Sequence, residues 1–178
     1  MRENDDVAMM AADPLTPTAF REALGCFATG VAIVTARNAG AEPIGMTMSS
    51  FNSVSIDPPL VLFSVDRNAL SFPEMCAARG YAVNVLGRPQ QHLSTRFARS
   101  RADKWMDVEH SPGFGDAPVL ADVLAHFECK PYAQYDGGDH VIFVCEVVRA
   151  SRSTSDEEPL IFYRGKYHTI AGETTRGE

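Results

Sequence analysis

A mainly β protein with peripheral helices is the fold class that this sequence predicts. Three observations predict it. Short apolar segments, many alternating with a period of two, recur between Gly, Pro and Asn turns, giving about seven or eight strands. Segments with helical spacing number only about three and are short. Several neighbouring strands are joined by hairpin-length turns, as antiparallel pairing requires. An antiparallel barrel is the natural solution, because closure removes exposed edges. Periodicity alone does not choose between a barrel and a sandwich.

Residues 1–14 are polar and acidic, end at Asp13-Pro14 and read as a disordered leader. Thr16-Pro17 supplies an N-cap and a first-turn proline, and Phe20, Ala23, Leu24 and Phe27 follow at helical spacing. A helix over about 17–27 results, and Thr29-Gly30 breaks it. Val31–Thr35 and Pro43–Phe51 form a hairpin about the turn Asn38-Ala39-Gly40. Leu60–Val65 is almost wholly apolar and reads as a central strand. Ser71-Phe72-Pro73-Glu74 matches a capping box that opens a helix to about Arg79. Tyr81–Leu86 is a strand, and Pro89 begins a helix with Leu93 and Phe97 on its apolar face. Residues 100–118 are loop-like. Two longer strands, about 121–134 and 140–150, flank the turn Asp136-Gly137-Gly138, and Ser151–Glu158 is a polar link. Leu160–Tyr163 and Tyr167–Ile170 close the chain about Arg164-Gly165. The expected organisation is one domain over 15–172, followed by a flexible tail at 173–178.

The 178 residues, 45% hydrophobic and 22% charged, suit one globular domain. A net charge of −7 argues against broad nucleic-acid binding, which needs surplus Lys and Arg. No apolar run approaches the roughly 20 residues of a membrane span, and the acidic start is unlike a signal peptide. No membrane partner and a cytoplasmic location are therefore expected. The four cysteines form no CxxC pair and the five histidines have no ligand spacing, so no metal site is expected. Cys26, Cys76 and Cys145 lie in apolar surroundings and read as buried thiols. A local basic cluster from Arg88 to Lys104, including Arg96, Arg99 and Arg101, offers either an anion site or a solvated helix face.

The most informative stretch is GMTMSSFNSVSIDPPLVLFSV at 45–65. It sets hydroxyls at Thr47, Ser49, Ser50, Ser53 and Ser55 ahead of a Pro58-Pro59 turn and an apolar strand. With alternation, Thr47, Ser49 and Phe51 share one face and Met46, Met48 and Ser50 the other. The sulfur-and-carbon side then packs on a core and leaves the hydroxyl side for solvent or a polar ligand. In order along the chain come ATGVAIVTA at 28–36, this stretch, YAVNVL at 81–86 and QHLSTRFA at 91–98. DKW at 103–105, GDHVIFVCEV at 138–147 and PLIFYRGKYHTI at 159–170 follow. This ordered set resembles the flavin reductase family over roughly 20–170.

The resemblance implies an antiparallel FMN-binding split β-barrel and an NAD(P)H-dependent flavin oxidoreductase. Such an enzyme reduces FMN or FAD by hydride transfer from NADH or NADPH and supplies reduced flavin to a separate monooxygenase. It also implies a homodimer. Hydride passes between cofactors, so no protein nucleophile is required, which agrees with the absence of GxSxG, GxGxxG and P-loop patterns. By resemblance, Thr47, Met48, Ser49 and Ser50 line the flavin ring, the hydroxyls donating to ring nitrogens and carbonyls. Ser64, Val65 and Asn68 meet the ribityl or phosphate portion, and Ser71 opens a helix toward the phosphate. Phe97, Ala98, Lys104 and Trp105 belong to the flavin site, with Lys104 for the phosphate and Trp105 replacing an expected Phe. Thr29 is placed with the same cofactor-binding set. His140 is the catalytic residue expected on the nicotinamide side, and Tyr167 covers the second cofactor.

Two other readings stand beside this one. A tight electron-transfer or pyridoxamine-phosphate oxidase-like flavoprotein on the same barrel needs a basic phosphate site, for which GKYH offers only Arg164 and Lys166. A barrel that binds a small apolar ligand leaves the hydroxyl-rich strand, GDH and DKW unexplained.

Overall fold

The computed structural model describes residues 15–100 and 103–170. The leader at 1–14, Arg101 of the basic cluster and the tail at 173–178 lie outside them. The chain begins with α1 (Pro17–Leu24), whose N-cap Thr16 accepts the Ala19 N–H at 3.1 Å. Strands β1 (Thr29–Gly30), β2 (Ala32–Arg37), β3 (Pro43–Met48), β4 (Asn52–Ser55) and β5 (Leu60–Asp66) follow. Next come α2 (Phe72–Ala77), β6 (Tyr81–Val85) and α3 (Gln91–Phe97). Strands β7 (His110–Pro112), β8 (Pro118–Leu120), β9 (Ala125–Gly137), β10 (His140–Arg152), β11 (Ile161–Tyr163) and β12 (Lys166–His168) complete the order.

Seven strands form one antiparallel sheet in the order β3-β2-β6-β9-β10-β5-β4. The outermost strands, β3 and β4, are consecutive in sequence and joined only by Ser49, Ser50 and Phe51. Three residues span at most about 14 Å, so the sheet must curl until its edges meet. The edges share no ladder. The seam is instead closed by Ser50, whose hydroxyl accepts the Ser64 N–H of β5 at 2.9 Å. This is a barrel split at one seam. A small sheet, β1-β11-β12, and the β7-β8 hairpin cover its outside.

The two long strands curve because each carries an extra residue. Register shifts fall between Val144 and Cys145 and between Val147 and Arg149, leaving Tyr132 and Val148 unpaired. Pro131 is tolerated beside the first bulge because β6 ends its pairing with β9 at Tyr81↔Cys129, so no N–H is needed there. At the hairpin ends, Gly138 (φ 79°) and the Arg164-Gly165 pair (φ 46° and 74°) supply the left-handed backbone of tight turns.

One core fills the barrel. Phe63 and Phe143 stack at 5.2 Å, and Tyr81 meets both rings edge-on. The Tyr81 hydroxyl escapes burial cost by donating to the Met75 carbonyl at 2.6 Å. A second core, with Ile33, Leu86, Phe97 and Leu160, lies between the barrel and its outer layer. Because β2 belongs to both, all of Ala32–Ala36 is buried, which explains why it is apolar on both faces but for Thr35. Thr35 and Asn84 are two of the buried polar residues. Asn84 accepts the Leu120 N–H at 2.9 Å, and its amide donates to the Ile33 carbonyl, so the pair ties β8 to the barrel.

Several expectations are corrected. The first helix stops at Leu24 and buries none of its residues; Phe20, Leu24 and Phe27 remain exposed. Twelve strands are described where seven or eight are expected, because β1, β4 and the β7–β8 hairpin are two to four residues long and carry too little apolar alternation to be read from sequence. Alternation fails after Met48, where the chain crosses from β3 to β4, and Phe51 packs on the core against Phe127. Cys26 is exposed, Cys76 half-buried, and Cys145 buried. Burial also pushes the Cys129 thiol up to about 12. Among the described residues, no helix is long and apolar enough to cross a membrane.

Candidate functional site

A cleft of about 970 Å³ opens along β3 on the outside of the split seam. Its size suits a drug-sized or cofactor-sized ligand. The β3 strand forms the floor, α3 and the segment after it one wall, and the start of β10 with the β5–α2 connection the other.

The floor owes its shape to Gly45. A Cβ there would lie 3.0 Å from Phe97 and 3.2 Å from Trp105, so glycine lets α3 and the tryptophan press on the strand more closely than a side chain would without displacing those rings. Phe97 and Trp105 then meet edge to face at 4.9 Å, and His110 lies 5.3 Å beyond. The same approach brings Lys104 within 3.0 Å of the Gly45 carbonyl, to which its ammonium donates. Lys104 is half-buried and, among the described residues, forms no ion pair with Asp103, Asp107 or any other carboxylate. Desolvation lowers its pKa from the usual lysine value. An ammonium held without a counter-charge beside a cleft is fitted to an anionic ligand. Arg99 and Ser100 also line the cleft.

Further along the floor, the Thr47 hydroxyl donates to the Ser94 carbonyl of α3 at 2.7 Å. Met48 turns into the barrel core, and Ser49 is exposed. Ser50 holds the seam as described and aims its proton at the Ser64 carbonyl at 3.4 Å. Ser64 and Val65 follow on β5, with Asp66 paired in register opposite His140 at the first position of β10. The His140 Nδ1 lies 2.8 Å from an Asp139 carboxylate oxygen, which can only accept, so this nitrogen carries the proton. The histidine in turn holds the Asp139 carboxyl below its usual range. On the outer rim Arg67 pairs with Asp136 at 2.6 Å and donates to the Gly138 carbonyl, fixing the turn that presents His140.

The structure therefore gathers Thr47, Met48, Ser49, Ser50, Ser64, Val65, Ser71, Phe97, Ala98, Lys104, Trp105 and His140 around one cleft. Three expected residues lie elsewhere in the single chain. Thr29 pairs with Phe162 in the outer sheet, and its buried hydroxyl has no partner among the described residues. The Asn68 N–H and side-chain amide are taken up by the Asp66 carboxylate. Tyr167 packs on Phe162, and its hydroxyl lies 2.8 Å from that of Ser94. Ser71 lines the cleft but makes no side-chain cap, so the capping box does not form. The Trp105 ring is wedged against Gly45 and Phe97, with its indole N–H buried and without a partner among the described residues.

Sequence reasoning gave no role to Ser94 or Gly45, whereas Arg99, read there as part of a basic cluster offering either an anion site or a solvated face, lines the cleft. Ser94 had a readable signal: it is a polar residue beside Leu93 and three before Phe97, on the buried side of a short helix. Gly45 had none, since its role depends on residues some 50 to 60 positions away.

Residues 24–171 match the model of the flavin reductase like domain. A Rhizobium meliloti strain 1021 protein named a probable flavin reductase is 39% identical over 92% of this chain. The chain spans 53% of that relative's length. A Rhodococcus opacus protein is 38% identical over 92% of the chain and 86% of its own length. It is the reductase component of a 4-nitrophenol 4-monooxygenase/4-nitrocatechol 2-monooxygenase. Among solved structures, the Streptomyces globisporus NADH:FAD oxidoreductase, in complex with NAD and FAD fragments, superposes with a TM-score of 0.84. It is 36% identical, and the match covers 92% of this chain and 99% of that one.

Proposed function

The chain belongs to the flavin reductase-like family, and from that premise we propose that it is an NAD(P)H-dependent flavin oxidoreductase that reduces FMN or FAD and supplies reduced flavin to a partner monooxygenase. The observation that carries this reading to the cleft is Lys104, a half-buried ammonium without a described counter-charge at one end of a hydroxyl-lined floor. The residues present fit a flavin: a cation for its phosphate, a strand of short polar groups for its ring edge, and a histidine at the far rim.

Reduced nicotinamide supplies a hydride and flavin accepts it, so this chain needs no nucleophile of its own. Its residues bind and orient. Lys104, with Arg99 lining the same cleft, pairs with the flavin phosphate. Thr47 on β3, with Ser49 and Ser50 just past its end, sets the ring edge along that strand, whose rigidity comes from Met48 buried behind it and α3 pressed in front. His140, its ring oriented by Asp139, borders the nicotinamide side. Ser64, Val65 and Ser71 line the opposite wall.

The exposed Phe20, Leu24 and Phe27 of α1 and its C-terminal turn make a face that a second copy of the chain covers, and the working unit is a homodimer. Residues 15–172 act as one reductase domain, working in the cytoplasm. The test is NADH oxidation followed at 340 nm on flavin-free protein, with FMN or FAD added. Oxidation that saturates with added flavin is expected and ranks the two flavins. Absence of both turnover and flavin binding would overturn the reading.

A further inference from the structure

The hydroxyl of Thr47 has one proton, and it is spent inside the protein. Its partner, the Ser94 carbonyl, can only accept, so the direction of the 2.7 Å bond is unambiguous. The same carbonyl also receives the Ala98 N–H at 3.0 Å, so both of its lone pairs are occupied and the last turn of α3 holds it in place. Ser94 is fully buried, and its side chain is anchored separately by the Tyr167 hydroxyl. Thr47 thus faces the cleft with lone pairs alone. It cannot donate to a ring nitrogen or carbonyl, the role that short hydroxyls on this strand suggest.

We propose that Thr47 is an acceptor-only specificity residue, held so by the positioning residue Ser94, and that it receives the imide N3–H of the isoalloxazine ring. This rests on the flavin reading above. The oxidised ring carries a single N–H, at N3, so an acceptor that engages the ring in the form that arrives as substrate engages that group. The ring system is thereby selected by its imide donor, and a ligand of similar shape without one is refused, since a buried acceptor left unpaired is costly.

The experiment measures dissociation constants by flavin fluorescence for FMN, N3-methyl-FMN and lumiflavin, with the full chain and its T47V and T47S variants. For the unsubstituted chain FMN should bind more tightly than N3-methyl-FMN. In T47V, which keeps the shape and removes the lone pairs, FMN should weaken about three- to tenfold and the preference should shrink by the same factor. T47S, which keeps the bond to Ser94, should restore both. A T47V variant that merely loosened the cleft would weaken both flavins and leave their ratio unchanged, and an unchanged ratio overturns the proposal. Loss of the T47V effect with lumiflavin, which lacks the ribityl hydroxyls, would overturn it too, because the donor would then lie on the side chain of the ligand. Failure of the unsubstituted chain to bind FMN at all would overturn the flavin reading itself.

Discussion

At the scale of single residues, Lys104 and His140 divide the cleft between charge and orientation. Lys104 has lost part of its hydration and gained one carbonyl, an arrangement that an incoming phosphate completes. Lys104→Met should weaken FMN by about 1.5–3 kcal/mol, the range for hydrogen bonds to charged groups. Riboflavin, which lacks the phosphate, should be nearly unaffected; equal losses for the two ligands, measured by fluorescence titration, would remove Lys104 from the phosphate. His140 lies at the other end, its ring set by Asp139. His140→Ala should raise the nicotinamide KM or lower turnover by about three- to tenfold while FMN affinity stays within twofold. A large loss of FMN binding in steady-state and titration data would instead put His140 on the flavin.

At the scale of elements, the outer β7–β8 hairpin and the turn Phe114–Asp116 within it are held to the barrel by polar contacts as well as by apolar burial. Glu128 of β9 is 7% exposed and accepts the Phe114 N–H at 2.6 Å and the Arg149 guanidinium at 2.9 Å. Arg149 holds the Glu128 carboxyl below its usual value, despite burial, which acts the other way. Because the folded value is depressed, the unfolded chain binds this proton first as pH falls. The stabilisation is complete above the ordinary carboxylate range and is lost as pH falls through the folded value. Denaturant midpoints measured from pH 7 downward should show this acid slope. Glu128→Gln should flatten it and cost about 1–3 kcal/mol at pH 7. An unaltered slope would mean that the clamp does not carry the acid sensitivity.

At the scale of the whole molecule, α1 and its following turn expose Leu24 and Phe27 on a helix that buries nothing of itself. A helix this short is marginal without tertiary packing, so its apolar face needs a partner surface. A Leu24→Glu, Phe27→Glu double variant should convert the proposed homodimer to monomer in light scattering while the far-ultraviolet β signature persists. A monomeric unsubstituted chain at the same concentration would remove the dimer from the account.

The period-two segments, hairpin turns and ordered motifs determined the β class, most strand positions and the family, because those features are local and survive without knowledge of what packs where. The hydroxyl-rich strand, DKW and GDH likewise marked the cleft from sequence. Tertiary structure decided which of those side chains are free to act. Thr47 gives its proton to a carbonyl 47 positions away, Asn68 is held by Asp66, and Tyr167 turns to Ser94. Gly45 matters through rings at Phe97 and Trp105. A hydrogen bond's direction and a glycine's clearance are properties of pairs brought together by folding, and a one-dimensional pattern carries residue types without their partners.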